Sequence, residues 1–382
     1  MDDKTKLDLI KAPPIEEILT EADLKAAIEL GIPLKHYIGF EISGLLHLGQ
    51  GMLSAIKIAD FQKAGVDCSI FLADYHAWIN EKLGGDLDII KKTAVGYYKD
   101  AFKLAIDAAG GDSDKVKFVL GSDLYNKLGN DYWTTVVEVA KNTNLARIKR
   151  SITIAGRAEG ETVNFAMLMY PVMQVADIFA QGINLAHAGA DQRKAHVIAR
   201  EVAGHLKYSM PLKRKHGDHE EIYKPIAIHH PLILGLQQPP VWPIPQGKLK
   251  EIISSMKMSK SKPNTCVFLT DSEDNIKAKL MAAFCPQKET EYNPVLNWCK
   301  YIVFKSNKEL TIERPTKFGG KIHFDSYDDL EGVYAKGDLH PADLKPAVAQ
   351  AIADILKPIR EYFETPKHHA MLHELEMLAM KK

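Results

Sequence analysis

Cysteine is scarce in this chain. Four are present, Cys68, Cys266, Cys285 and Cys299, and no two stand at C-x-x-C spacing. That removes the usual zinc and dithiol redox signatures and suits reduced thiols in a cytoplasmic protein. No apolar run reaches the ~18 residues that would suggest a membrane-spanning helix. The opening residues, MDDKTKLDLIK, are charged where a secretory leader would be apolar. No G-x-x-x-x-G-K-[ST] string occurs, which disfavours a P-loop nucleotide site. Net charge is also missing: 49 Lys and Arg balance 49 Asp and Glu. Bulk charge thus gives no hint of a nucleic-acid partner, and local clusters must carry that argument. The clusters are Arg147-Ile148-Lys149-Arg150, Arg193-Lys194 and Lys213-Arg214-Lys215. Each is also what an ordinary solvated surface looks like.

What is there is ample core material. Hydrophobic residues make up 46% of the 382, and charged residues 26%. The length allows two or three domains of about 100–200 residues. The first 36 residues read as a helical preface, with Ile15, Ile18, Leu19, Leu24, Ile28 and Leu30 as intermittent apolar positions. Strands and helices then alternate. Strands are expected at 37–41, 68–73, 116–120, 183–188 and 225–229, and helices at 49–63, 129–145, 166–181 and 191–206. Asp86 is a candidate N-cap for a helix through Ile90, Ala94, Tyr97, Ala101 and Leu104. Such alternation predicts a parallel α/β sheet, which binds ligands beyond the carboxyl ends of its strands. Residues 235–265, broken by Pro239, Pro240, Pro243 and Pro245, read as linker and loop. Helical patterns dominate beyond 270, with a strand-like patch near 300–324 and a helix after Pro341.

Two strings carry chemistry. Lys257-Met258-Ser259-Lys260-Ser261 supplies two ammonium groups and two hydroxyls just before a proline. His47-Leu48-Gly49-Gln50 sits at a strand-to-helix junction. A helix start attracts anions, a histidine can donate to a phosphate oxygen, and lysines can hold a pyrophosphate. Gly49, Gly51 and Ser54 come close to a dinucleotide fingerprint, so a dehydrogenase competes, but the third glycine is absent. Alone, His47 could be structural and the lysine-serine run a solvated loop. His229-His230 is a poor metal pair, since neighbours in a strand face opposite ways. No His, Cys and Asp cluster has metal-ligand spacing, so no metal site is expected.

Together the two strings resemble the nucleotide-binding signatures of class I aminoacyl-tRNA synthetases. Tyr37-Ile38-Gly39-Phe40-Glu41, Tyr170-Pro171-Val172-Met173-Gln174-Val175-Ala176-Asp177 and Gly189-Ala190-Asp191-Gln192-Arg193-Lys194 narrow the resemblance to the tyrosyl-tRNA synthetase family, nearest its archaeal and eukaryotic branch. Tyr170, Gln174 and Asp177 also share one helical face at i, i+4 and i+7.

The resemblance implies a Rossmann-like parallel-sheet catalytic domain at 37–245, with a connecting insertion about 125–168. A loop and linker at 246–270 and a mainly helical anticodon-binding domain at 271–382 follow. It implies catalysis by His47, Gln50, Lys257 and Lys260, and ATP contacts from Gly39, His47, Gly49, Met258, Ser259, Lys260 and Ser261. Gln50 departs from the second histidine that many class I enzymes have there. Tyr37 and Asp177 would bind the phenol of tyrosine; Tyr170, Gln174 and Gln192 would surround its ammonium group. Arg150, Arg193 and Lys194 would meet the acceptor end of tRNA(Tyr), and Phe318, His340 and Asp343 its anticodon side. ATP with Mg2+, L-tyrosine and a second copy of the chain complete the implied partners, in the cytoplasm with no membrane. A tryptophanyl enzyme, an adenylyltransferase of the same superfamily and a noncatalytic RNA-binding relative are the rivals.

Overall fold

The computed structural model describes residues 1–209, 211–216, 219–245, 247 and 249–380. Gln246, Lys381 and Lys382, which bound expected domains, lie outside the described residues, as do the side chains of Arg214 and Lys215. The chain divides into two compact units. One comprises Met1–Ser43, Asp60–Lys99 and Asp114–Pro231; the other comprises Gly44–Ala59, Asp100–Ser113 and Leu232–Lys382.

A six-stranded sheet organises the first unit. It contains β1 (Glu17–Leu19), β2 (Lys35–Glu41), β3 (Asp67–Ala73), β4 (Lys117–Leu120), β5 (Leu185–Gly189) and β8 (Ile226–His230). Their order is β1-β8-β5-β2-β3-β4, all parallel except β1, which pairs antiparallel with β8. The expected α/β parallel sheet is therefore present. From β2 the chain runs outward to β3 and β4, then crosses back to β5 and β8. Strand order thus reverses at the β2–β5 pair, and a ligand crevice belongs beyond their carboxyl ends.

Local chemistry explains the elements. β3 is buried from Cys68 to Ala73, the environment its continuous apolar run demands. Gly65, at φ 73°, turns the chain out of the Leu48–Lys63 helix and into β3. Asp86 caps its helix by accepting from the N–H groups of Asp88 and Ile89. The side chain of Asn184 aligns the starts of two parallel strands: it accepts from Lys35 N at 2.8 Å and donates to Pro33 O at 2.9 Å.

Three elements differ from expectation. The first 36 residues hold β1 between the Asp3–Lys11 and Glu21–Glu29 helices; at 3 residues it is too short to show any periodicity. Lys213–His216 (β6) and His219–Ile222 (β7) pair antiparallel, although their sequences are too polar to announce a strand. Within the proline-rich stretch, Leu249–Met256 is helical, lying between Pro245 and Pro263.

The second unit is mainly helical. The long Pro341–Glu364 helix buries Leu344, Val348, Ile352, Leu356 and Ile359 and packs against the Glu273–Ala282 helix. Leu310–Ile312 (β9) and Ile322–Phe324 (β10) form an antiparallel pair, whereas residues 299–306 are helical. Trp298, fully buried, donates its indole N–H to Leu234 O at 2.7 Å. Among the described residues no helix is long and apolar enough to cross a membrane.

Candidate active site

In the first unit an aromatic pocket surrounds a buried acid. Asp177, on the Met169–Ala180 helix, is 1% exposed. One carboxylate oxygen, Oδ1, accepts from the Tyr132 hydroxyl at 3.0 Å. The other, Oδ2, is 3.7 Å from His76 Nε2, beyond hydrogen-bond reach. Burial pushes the Asp177 carboxyl well above the usual range, and the neighbouring Asp74 adds to this. Tyr37 is buried on β2, and burial, then the Asp177 charge, raises its hydroxyl. Tyr37 meets Phe71 edge-on, and Tyr170 meets His76 edge-on at 4.6 Å. Burial brings His76 down to about 4, so its ring is neutral.

One turn before Asp177 on the same helix, Gln174 belongs to a pair of amides. Gln192 donates to Ile154 O at 2.9 Å, and Gln174 Nε2 donates to Gln192 Oε1 at 3.2 Å. This chain fixes both amides and leaves Gln174 Oε1 buried with no partner. Tyr37, Tyr170, Gln174, Asp177 and Gln192 are therefore gathered in one unit, as the sequence reading requires. That reading missed Asp74, His76, Tyr125 and Tyr132. Asp74 and His76 follow β3 directly, and a position just past a parallel strand is a signal for the site. Tyr125 and Tyr132 gave no local signal.

The second unit holds the phosphate-type groups. Residues 46–48 pair with 267–269, through Leu48 N to Val267 O at 2.8 Å and Leu269 N to Leu46 O at 2.9 Å. This places His47 at the start of the Leu48–Lys63 helix. The backbone N–H of Gln50 donates to His47 Nδ1 at 3.2 Å. Burial, then the charges of Lys260 and Lys257, lower His47 to about 3. A neutral ring that accepts at Nδ1 carries its proton on Nε2, the donor a phosphate oxygen needs. Gln50 Oε1 is buried without a partner. Gly49 lets Ile233 approach, since a Cβ there would stand 3.2 Å from Ile233 Cβ.

The lysine-serine run is anchored at its start. Lys257 bridges to Leu234, and Met258 N donates to Ile233 O at 2.8 Å with its side chain buried. Ser259 and Ser261 share a hydroxyl hydrogen bond of 2.9 Å. Lys257 and Lys260 both lie near enough His47 for their charges to act on it. Gly39 belongs to the first unit, mid-strand on β2 beside the Tyr37 and Phe71 rings.

Of the expected RNA-facing residues, Arg150, Arg193, Lys194, Phe318 and His340 are exposed and Asp343 is half-buried. Lys194 Nζ donates to Arg150 O at 2.7 Å and to Thr153 Oγ1 at 3.0 Å, so Lys194 and Arg150 stand together. Arg193 pairs through Nε with both carboxylate oxygens of Glu17, at 2.9 and 2.8 Å. Phe318 is 58% exposed, with Lys317 over its ring. His340 caps the Pro341–Glu364 helix by accepting from Ala342 N, and Asp343 lies in its first turn. Arg314, unnoticed in the sequence, joins these segments: it donates to Gly320 O at 2.9 Å and Asp338 O at 3.0 Å.

The helix-start histidine and the lysine-serine run whose charges reach it carry the two strings that resemble the signatures of class I aminoacyl-tRNA synthetases. The chain belongs to the family described as tRNA synthetases class I (W and Y), whose model matches residues 31–357. The tyrosine–tRNA ligase of Thermococcus kodakarensis is 54% identical over 380 residues, 99% of this chain and 100% of that one. The crystal structure of tyrosyl-tRNA synthetase complexed with L-tyrosine from Pyrococcus horikoshii matches with a TM-score of 0.92 at 51% identity, covering 98% of this chain and 99% of that one. A tryptophanyl-tRNA synthetase from Aeropyrum pernix shares the fold, with a TM-score of 0.62 at 18% identity, over 94% of this chain and 84% of that one.

Proposed function

We infer that this chain is a tyrosine–tRNA ligase. It joins L-tyrosine to ATP, giving tyrosyl-adenylate and pyrophosphate, and then transfers the tyrosyl group to the 3′ end of tRNA(Tyr). The observation that carries the reading is Asp177: a buried carboxyl whose Oδ1 accepts from the Tyr132 hydroxyl and whose Oδ2 lies 3.7 Å from the His76 ring, beyond hydrogen-bond reach. A substrate phenol, shared with Tyr37, bonds this carboxyl. A phenylalanine ring would leave these buried polar groups unpaired, at a cost of about 1–3 kcal/mol for each. Gln174 Oε1, also buried and unpaired, suits the substrate ammonium, with Tyr170 and Gln192 beside it.

In the first step a tyrosine carboxylate oxygen attacks the α-phosphorus of ATP, and the bond from that phosphorus to the β-phosphate oxygen breaks. Positioning and charge stabilisation do most of this work. His47 donates from Nε2 to a phosphate oxygen. Lys257 and Lys260, with the Ser259 and Ser261 hydroxyls, hold the departing pyrophosphate, while Gly39, Gly49, Gln50 and Met258 shape the nucleotide's surroundings. These are imidazole, ammonium and hydroxyl groups rather than a carboxylate set for Mg2+. The ion therefore enters as part of the nucleotide substrate, held by phosphate and water oxygens. In the second step a hydroxyl of the terminal ribose attacks the tyrosyl carbonyl and AMP leaves. Arg150, Arg193 and Lys194 meet the acceptor end, and Phe318, His340 and Asp343 the anticodon side, where an aromatic can stack on an unstacked base. The reaction belongs in the cytoplasm. The enzyme works as a homodimer; Trp133 and Val137, exposed one turn apart, suit contact with a second copy, while Val136 and Val139 of the same helix are buried.

Amino-acid-dependent ATP–pyrophosphate exchange with all twenty amino acids tests the reading. Exchange with tyrosine alone is expected. Exchange with tryptophan instead would overturn the role of Asp177.

A further inference from the structure

The pocket's acid has one feature the tyrosine-binding residues do not account for. A buried carboxyl can rotate about its last bond, and its two oxygens are equivalent until something distinguishes them. Here Tyr132 does so. Its hydroxyl, wholly buried, donates to Oδ1 at 3.0 Å. Tyr125, stacked on Tyr132, also hydrogen-bonds the carboxyl, whereas His76, at 3.7 Å, makes no hydrogen bond to Oδ2. Being neutral, it makes no ion pair either. Tyr132 itself has little freedom. Its ring stacks on Tyr125 with centroids 4.1 Å apart and an angle of 26° between planes, and it meets Trp133 edge-on at 5.4 Å. Tyr125 in turn is wedged edge-on against Tyr75 at 5.3 Å.

We propose that Tyr132 is a positioning residue for amino-acid selection: it commits Oδ1 of Asp177 and so presents Oδ2 to the phenol of the substrate. This rests on the pocket reading given above. The Tyr132 hydroxyl has one proton, and giving it to Oδ1 makes that oxygen a fixed point rather than a competing acceptor. The same bond opposes the push of burial on the carboxyl, the larger effect, without reversing it. A ring without a hydroxyl meets an acceptor that cannot turn away to find another donor. The selection against phenylalanine is then a property of the Tyr132–Asp177 pair rather than of Asp177 alone.

The test is a double-mutant cycle on the full chain, read as the ratio of kcat/KM for tyrosine over phenylalanine in ATP–pyrophosphate exchange. Tyr132→Phe removes one oxygen and keeps the stacked ring, and its thermal midpoint is compared with the parent to establish folding. The ratio is expected to fall by about twofold to tenfold, the range a lost hydrogen bond gives. In the Asp177→Ala background, Tyr132→Phe should change the ratio no further. If Asp177→Ala lowers the ratio and Tyr132→Phe does not, the proposal fails and the pocket reading stands. Equal losses for tyrosine and phenylalanine in Tyr132→Phe would show a purely structural role and also overturn it. If Asp177→Ala leaves the ratio intact, the pocket reading itself is wrong and the proposal falls with it.

Discussion

Two effects agree in holding the His47 ring neutral. Burial and the nearby Lys260 and Lys257 both disfavour an imidazolium and bring the ring to about 3, while the Gln50 N–H occupies Nδ1. The proton therefore stays on Nε2 across the physiological range. Tyrosine activation should accordingly show no inflection near the usual histidine value of about 6.5 that His47→Ala removes; finding one would mean the ring does charge during turnover. The same substitution should lower kcat for activation by about a hundredfold to a thousandfold, as for loss of one preorganised donor, with little change in KM for tyrosine. Gly51 makes a separate, steric argument. An added Cβ would lie 2.4 Å from Leu269 Cδ1, in a side chain that is fully buried. Gly51→Ala should destabilise the protein by about 1–3 kcal/mol, and Leu269→Ala in the same chain should relieve part of the overpacking. Equal urea midpoints for Gly51→Ala and the parent would show that the leucine yields freely.

At the scale of elements, the turn bearing Phe318 and the start of the helix bearing Asp343 are tied by one guanidinium. Arg314 reaches Gly320 O and Asp338 O together, a task a lysine's single ammonium performs poorly. Arg314→Ala should therefore reduce kcat/KM for tRNA charging by about tenfold, on the order of a broken hydrogen bond or two, and leave ATP–pyrophosphate exchange unchanged. Loss of both activities together would point to general unfolding. The contrast between Arg314 and the strands shows what the sequence displayed. The parallel strands were legible because burial on both faces forces continuous apolar runs such as Cys68–Ala73. The proposed nucleotide site could be read from sequence because two short strings, 47–50 and 257–261, hold most of its groups. β1 was hidden by its length and β6–β7 by their polarity. Tyr132 was hidden for a different reason: it sits on a helix that was expected, but its partner Asp177 lies 45 residues away. Periodicity tells that a tyrosine faces inward and nothing about which acid it meets. Glu17 and Arg193, 176 residues apart, are the same case at the surface.

Across the whole molecule, buried histidines set the response to acid. Burial lowers His47 and His196 to about 3, His76 and His230 to about 4, and His229 in the same direction. Within the first unit, His196 bonds His229 at 3.0 Å and His230 bonds His187 at 2.8 Å, so the His196, His229 and His230 rings have hydrogen-bond partners suited to their neutral form. An unfolded chain takes up protons on each at about 6.5, whereas the native protein does not until far lower pH. The stability they contribute is therefore complete above about 6.5 and is lost as pH falls towards the folded values, by up to about 1.4 kcal/mol per pH unit for each ring. Asp177 and Asp74 act in the opposite sense. Their folded values are raised, so they hold protons that unfolded carboxyls have released, and they weaken the native state as pH rises through those values. Histidines outnumber these acids, so the acid side should be the fragile one. The urea midpoint is expected to fall steadily from pH 6.5 to 4.5, with more than one proton taken up on unfolding. A midpoint that stays level over that interval would mean the rings are already charged in the native protein, and that the neutral His47 required for phosphate donation is not the resting state.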